Sequence, residues 1–176
     1  MTRALVVYES VFGNAATIAH AIADGLAHYL EAAVVTVAEA ATVVSPDVRL
    51  LVVGGPTHAF GMPREATREG AIKDYGADIP DTGAGLHEWL DTVQLPQHAN
   101  AAAYDTRVDH PRLITRFDHA ARTEEKLLRG LGATLAAPAE HFHVVDTKGP
   151  LADGEEERAR LWGMAIAEIV TAGSRR

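Results

Sequence analysis

Apolar residues follow two alternating spacings along the chain. Runs made up mostly of apolar residues, typical of buried β-strands, occupy positions 4–8, 33–37 and 49–54. Apolar residues elsewhere recur every three or four positions, which is the spacing of one helix face. This spacing is clearest at residues 15, 18, 19, 22 and 26. An alternation of strands and helices predicts an α/β protein whose parallel sheet has helices on both faces.

The same spacings continue to the end of the chain. A weaker strand is predicted at 101–105, and a last strand runs through 134–136 and resumes at 141–145, because Pro138 interrupts it. Helices are predicted at 14–30, 64–74, 86–93, 117–131 and 155–170, the second of them charged and at the surface. We expect Tyr29 and Ile169 to face the core. No repeat or linker divides the 176 residues, which predicts a single domain over 1–176.

Composition narrows the possible functions. The chain has no cysteine, which excludes disulfides, thiolate nucleophiles and cysteine-held metals. Its net charge of −8 argues against nucleic acid and anionic membranes as partners. The sequence shows neither a signal peptide nor an apolar stretch of about 20 residues, so we expect a cytoplasmic protein without a membrane partner.

Three loops follow predicted strands at their carboxyl ends, where ligands bind in open parallel sheets. The first, Ser10 to Asn14, leads directly into a helix, whose unpaired N–H groups and positive dipole end suit a phosphate. The second is GGPTHAFGMP at 54–63, and the third is TRVDHP at 106–111. We expect the three loops to contact one ligand.

These segments together carry a family resemblance. Residues 4–22, the loop at 54–63 and AAYDTR at 102–107 resemble flavodoxin-like FMN-binding proteins, and residues 148–163 resemble the tail of a bacterial branch. The positions that match the flavodoxin signature are Val6, Val7, Tyr8, Ser10, Gly13 and Ala19. The resemblance covers nearly the whole chain. It implies a flavodoxin-like three-layer sandwich with a five-stranded parallel sheet of order 2-1-3-4-5.

The resemblance also implies FMN, held noncovalently at the carboxyl ends of the strands. In the family the first loop wraps the ribityl phosphate, the second lies along the isoalloxazine, and the third meets its pyrimidine end. We expect neither a metal nor a separate catalytic residue. The implied cofactor-binding residues are Ser10, Val11, Phe12, Gly13, Asn14, Ala15, Pro56, Thr57, His58, Ala59, Phe60, Gly61, Asp105, Thr106, Arg107 and Val108.

Two positions affect how tightly this implied site would bind FMN and what potential the flavin would have. Ala15 stands where the signature has threonine, and one lost charge-assisted hydrogen bond is worth about 1.5–3 kcal/mol, or roughly tenfold to a hundredfold in affinity. Arg107 has two open interpretations. In the first, its side chain points to the N1/C2 edge of the flavin and raises the two-electron reduction potential. In the second, it is solvated or ion-paired with Asp105 or Asp109.

Three functions are compatible with the sequence. The first is an electron carrier whose acidic surface docks on a redox partner protein, a reductase or an electron acceptor. The second is an FMN-dependent NAD(P)H:quinone reductase-like oxidoreductase. The third is a flavodoxin-fold protein that has lost FMN and acts by protein interaction. The carrier is favoured, and both a monomer and a homodimer are compatible with the sequence.

Overall fold

A parallel sheet forms the centre of the structure, a computed structural model that describes residues 3–57, 62–108 and 120–173. The order of strands and helices along the chain is the predicted one. The strands are β1 (Arg3–Tyr8), β2 (Glu31–Thr36), β3 (Val48–Pro56), β4 (Asn100–Val108), β5 (Thr134–Leu135) and β6 (Glu140–Val144). The helices are α1 (Asn14–Leu26), α2 (Glu65–Tyr75), α3 (Leu86–Leu90), α4 (Ala120–Gly130) and α5 (Glu155–Gly173).

The strand order confirms the arrangement that the family resemblance implied. Strands run β2-β1-β3-β4-β5, and β6 also pairs with β4, with every pairing parallel. The predicted fifth strand is therefore two short strands along one edge of β4, with Pro138 in the gap between them. The order reverses at β1, so the carboxyl ends of β1 and β3 border a switch point where ligands bind.

Helices cover both faces of the sheet, as predicted. On one face, α1 and α5 pack against each other so closely that a Cβ on Gly25 would lie 2.0 Å from the Arg160 carbonyl oxygen. On the other face, α3 and α4 bury Leu86 and Leu128 against the sheet. Among the described residues, none of these helices has the length and apolarity that a membrane span requires.

Several predicted boundaries were wrong. The first helix ends at Leu26 and not at Leu30, because the chain turns there to enter β2 at Glu31. Tyr29 is consequently 44% exposed, and its hydroxyl donates to Glu168 at 2.9 Å. Ile169 is exposed rather than buried, because it lies beside the stripe of α5 that packs inward. The helix predicted at 86–93 is only the five residues of α3.

Candidate functional site

A cavity of about 480 Å³ opens at the carboxyl ends of the strands. Its volume lies within the range of about 300–1,000 Å³ that is typical of small-molecule sites. Its walls come from the ends of β1, β3, β4 and β6 and from one face of α2. The lining residues are Ser10, Val11, Phe12, Asn14, Ala15, Pro56, Thr57, Thr67, Gly70, Ala71, Asp74, Tyr75, Thr106, Arg107, Val108, Val144, Asp146 and Thr147.

The loop after β1 is folded around the Ser10 hydroxyl. Its Oγ accepts hydrogen bonds from the N–H groups of Gly13 at 3.1 Å and Ala16 at 3.3 Å. Gly13 has φ +91°, a left-handed conformation that glycine adopts without strain, and it precedes α1 without lining the cavity. Because both Oγ lone pairs are used, the hydroxyl hydrogen of Ser10 is left to donate to a ligand.

The first turn of α1 adds two further donors. Asn14 and Ala15 begin the helix, so no helical carbonyl lies four residues before them to accept from their N–H groups. Neither N–H group bonds to another acceptor in the described part of the chain. Both residues line the cavity. This end of the cavity therefore combines free N–H groups, one free hydroxyl hydrogen and the positive end of a helix dipole, which together suit an anion.

Two long-range hydrogen bonds hold this loop in place. The fully buried Tyr104 donates its hydroxyl to the Ala15 carbonyl at 2.9 Å, and the Asn14 Nδ2 donates to the Lys148 carbonyl at 3.2 Å. Burial raises the pKa of Tyr104 well above its ordinary value, so the phenol remains a donor. A Cβ on Gly54 would lie 2.1 Å from the Tyr104 ring, which explains the glycine in β3.

The end of β3 contributes an unsatisfied hydroxyl. Pro56 and Thr57 line the cavity, and the buried Oγ1 of Thr57 has no hydrogen-bond partner among the described residues. Buried polar groups in native proteins are rarely left unpaired, so this hydroxyl is a group that a ligand can satisfy. The predicted site residues His58, Ala59, Phe60 and Gly61 lie outside the described residues.

The third predicted loop is partly a strand. Thr106, Arg107 and Val108 line the cavity from the end of β4, whereas Asp105 is fully buried and does not line it. Residues 106–108 are held in extended form because they pair with 142–144 of β6.

Arg107 is ion-paired, which was one of its two predicted interpretations. Its Nε and Nη2 donate to the Asp105 carboxylate at 2.9 and 2.5 Å, and Nδ1 of His141 lies 3.1 Å from the same carboxylate. Burial raises the pKa of Asp105, but the bonds from His141 and Arg107 outweigh that effect and lower it. An ionised Asp105 therefore compensates the charge of Arg107 beside the cavity.

One face of α2 forms a wall that the sequence analysis missed. Thr67, Gly70, Ala71, Asp74 and Tyr75 line the cavity at helical spacings of three and four residues. The low apolar content of this helix had indicated a surface element. The sequence feature that could have indicated this wall is the pair of small residues, Gly70 and Ala71, on the same helix face as Thr67 and Asp74.

The segment after β6 was also missed as part of the site. Asp146 and Thr147 line the cavity from this segment. The rule that ligands bind at the carboxyl ends of parallel strands applies to β6 as it does to β1 and β3. The sequence analysis had considered only three of the four strand ends.

Arg68 joins α2 to the end of β1 and to α3. It is completely buried, which corrects the prediction that this helix is simply exposed. Its guanidinium donates to Glu9 at 2.6 and 3.2 Å, to Glu88 at 2.8 Å, and to the carbonyls of Thr82 at 2.9 Å and Pro63 at 3.1 Å. Burial lowers the pKa of Arg68, but the hydrogen bonds to the Glu9 and Glu88 carboxylates outweigh this effect. The pKa is raised on balance, so the residue stays charged.

Glu124 is a buried titratable group that does not line the cavity. Its side chain on α4 is 1% exposed, and its Oε2 has no hydrogen-bond partner among the described residues. Burial raises the pKa of Glu124 well above its ordinary value, and the charges of Asp105 and Glu9 raise it further. Its burial therefore favours the protonated, neutral form of the Glu124 carboxyl.

Solved structures with the same fold are numerous but distant in sequence. An archaeal flavodoxin has 18% identity and a TM-score of 0.63, over 96% of this chain and 99% of that one. A flavodoxin from Streptococcus pneumoniae TIGR4 has 15% identity and a TM-score of 0.63, over 97% and 99%. Rubredoxin oxygen:oxidoreductase from Desulfovibrio gigas has 13% identity and a TM-score of 0.64, where all of this chain corresponds to 38% of that protein.

Sequence comparison identifies the family. No curated protein sequence matches the chain significantly. The sequence model of the family described as Flavodoxin matches residues 6–162, which is most of the chain, and the strand order and the solved structures agree with it. This chain therefore belongs to the flavodoxin family.

Proposed function

We propose that this protein binds FMN noncovalently in the cavity and carries electrons to or from a redox partner protein. The observation that carries the proposal is the anion-binding end of the cavity, where Ser10 and the first turn of α1 present free donors at the switch point of the sheet. Members of this family typically bind FMN. When bound, the flavin supplies one-electron and two-electron chemistry, and the chain supplies position and electrostatics.

The phosphate end of this site fits FMN without the signature threonine. The O–H of Ser10 and the N–H groups of Asn14 and Ala15 are the donors to the phosphate. The ammonium of Lys148 lies 6.0 Å from the centroid of the Phe12 ring, which brings a positive charge to the same loop. This charge offsets part of what the loop loses by having Ala15 in place of a hydroxyl residue.

The charges around the rest of the cavity favour an electron carrier. Asp74 and Asp146 line the cavity, and Asp105 compensates the charge of Arg107. Negative charge beside a flavin raises the free energy of its anionic reduced form, because like charges repel. We therefore expect a low potential for the second electron, which suits one-electron transfer better than hydride transfer to a quinone.

The first experiment is a titration of the purified protein with FMN, followed by quenching of flavin fluorescence. We expect saturable binding at micromolar or lower concentration. Ser10→Ala should weaken FMN binding about tenfold but leave riboflavin, which has no phosphate, nearly unchanged. Thr171→Ala, which removes a hydroxyl on α5 outside the cavity, is the control. Absence of saturable FMN binding would contradict the proposal and favour action by protein interaction.

The second experiment separates carrier from enzyme. Reductive titration of the FMN-loaded protein should show two separate one-electron steps. NADPH oxidation with a quinone acceptor should be no faster than with free FMN. Fast turnover in this assay would instead favour the reductase-like enzyme.

A further inference from the structure

Gly70 is a glycine in the middle of α2 that packing does not explain. Glycine disfavours the helical conformation relative to alanine, so a glycine inside a helix normally has a local reason. Gly25 and Gly163 have one, because a Cβ there would lie 2.0 and 2.3 Å from carbonyl oxygens of the neighbouring helix. A Cβ on Gly70 would meet no heavy atom of the described residues within 4 Å.

Gly70 lies on the wall of the cavity, so we infer that the open space beside it belongs to the cavity. Gly70 lines it, together with Thr67 and Asp74 one turn away on either side and with the adjacent Ala71. The methyl group of Ala71 is the only side chain between the two polar residues on this face, so the middle of the wall is nearly flat. A flat apolar surface flanked by polar groups is complementary to a planar ring with polar edges.

One observation points to a ligand at this wall, and a second shows that the wall is fixed in position. The buried Thr57 hydroxyl on the same cavity has no partner among the described residues. In addition, α2 is held in position by the buried Arg68, whose hydrogen bonds reach Glu9 at the end of β1 and Glu88 on α3. The wall is thus a fixed surface, as ring packing requires.

We propose that Gly70 is a specificity-determining residue, whose missing side chain lets the planar ring of the bound flavin lie directly against α2. The inference rests on the proposed FMN function and adds to it a contact to the ring, distinct from the phosphate contacts at Ser10 and α1. A side chain at position 70 would occupy the space of the ring and leave the phosphate end untouched.

The test compares Gly70→Ala and Gly70→Leu with Gly130→Leu. Gly130 is an exposed helix glycine on α4, with no atom within 4 Å of a Cβ and outside the cavity lining, so it is a matched control. Urea denaturation without flavin should show each Gly70 variant to be at least as stable as the parent, because a helix glycine has been removed. Weaker binding then cannot come from unfolding.

Flavin affinity is the decisive measurement. Gly70→Leu should raise the dissociation constants of FMN and riboflavin by the same factor, at least tenfold. Gly70→Ala should raise both by about twofold to fourfold, and Gly130→Leu should change neither. Inorganic phosphate should compete with FMN equally well in the parent and in Gly70→Leu.

The outcomes distinguish this inference from the proposed function. If the parent binds FMN and Gly70→Leu binds both flavins within twofold of the parent, the ring contact is overturned while the FMN function stands. If Gly70→Leu weakens FMN but not riboflavin, the side chain acts on the phosphate end, and the inference is likewise overturned. If the parent binds no FMN, the proposed function and this inference fall together.

Discussion

Arg68 offers the sharpest test of how the site is held together. Arg68→Met removes a guanidinium that makes five hydrogen bonds while keeping an unbranched side chain in its place. The Glu9 carboxylate, which is 7% exposed, would then be buried without its cation. Breaking a buried ion pair by removing one partner costs about 3–5 kcal/mol. Glu88 adds little to this loss, since its side chain is 38% exposed and water can solvate it.

The expected result is a fall of about 3–5 kcal/mol in the free energy of unfolding, measured by urea denaturation with tryptophan fluorescence. The free energy of unfolding of a small domain is only about 5–15 kcal/mol in total, so Arg68→Met should strongly lower the urea concentration at the denaturation midpoint. FMN affinity should fall as well, because α2 loses its anchor beside the cavity. Arg160→Met, which breaks an exposed pair with Glu157, should leave stability close to the parent.

A double variant separates the buried charge from simple loss of packing. Arg68→Met with Glu9→Gln removes the uncompensated anion and keeps an amide oxygen, which can still accept the Leu86 N–H now bonded to Glu9 at 2.8 Å. The double variant should therefore be about 1–3 kcal/mol more stable than Arg68→Met alone. A loss below about 1 kcal/mol in Arg68→Met, or no recovery in the double variant, would refute the reasoning.

Three further predictions concern the loop and the buried acid. Ala15→Thr restores a hydroxyl on the cavity wall and should tighten FMN binding about tenfold in a fluorescence titration, and an unchanged dissociation constant would count against phosphate binding by this loop. Tyr104→Phe leaves the Ala15 carbonyl without its donor and should cost about 1–3 kcal/mol in urea denaturation, together with weaker FMN binding; full stability would show the bond to be unimportant. The pKa of Glu124 is raised in the folded state. The contribution of this carboxyl to stability is therefore complete below the ordinary pKa of 4.5, and it is lost as the pH rises toward the raised pKa. The free energy of unfolding should fall by at most about 1.4 kcal/mol per pH unit in this range. Urea denaturation at several pH values should show this slope in the parent and a flatter dependence in Glu124→Gln, whereas parallel profiles would contradict a raised pKa of Glu124.

The fold was largely predictable, because its signals are local. Alternating apolar spacings identified the strands and helices, since each spacing depends only on the geometry of a single element. The split of the last strand followed from Pro138 alone. The strand order came from the family resemblance, because spacing along one chain says nothing about which strands lie side by side.

The site was predictable only where it follows a strand end. Ten of the sixteen predicted cofactor residues line the cavity, from Ser10 to Val108, while Asp105 and Gly13 do not and four others lie outside the described residues. The α2 wall was missed because its apolar spacing is weak, and a helix turns toward a cavity only through tertiary contacts. Whether FMN occupies the cavity stays a prediction for the titrations above.

The sequence by itself determined the elements of this protein, its family and the loop that suits a phosphate. The elements and the loop depend on residues that are close neighbours along the chain, whereas the family rests on segments spread over residues 6–162. Tertiary structure alone decided the partners of Arg68 and Arg107 and the wall around Gly70. Arg68 and Glu9 are 59 positions apart, and Asp105 and His141 are 36 apart, so only the packed chain brings their charges together. Arg68 has the sequence pattern of a surface residue, but folding buries it beside the Glu9 carboxylate, where the ion pair fixes α2 in place.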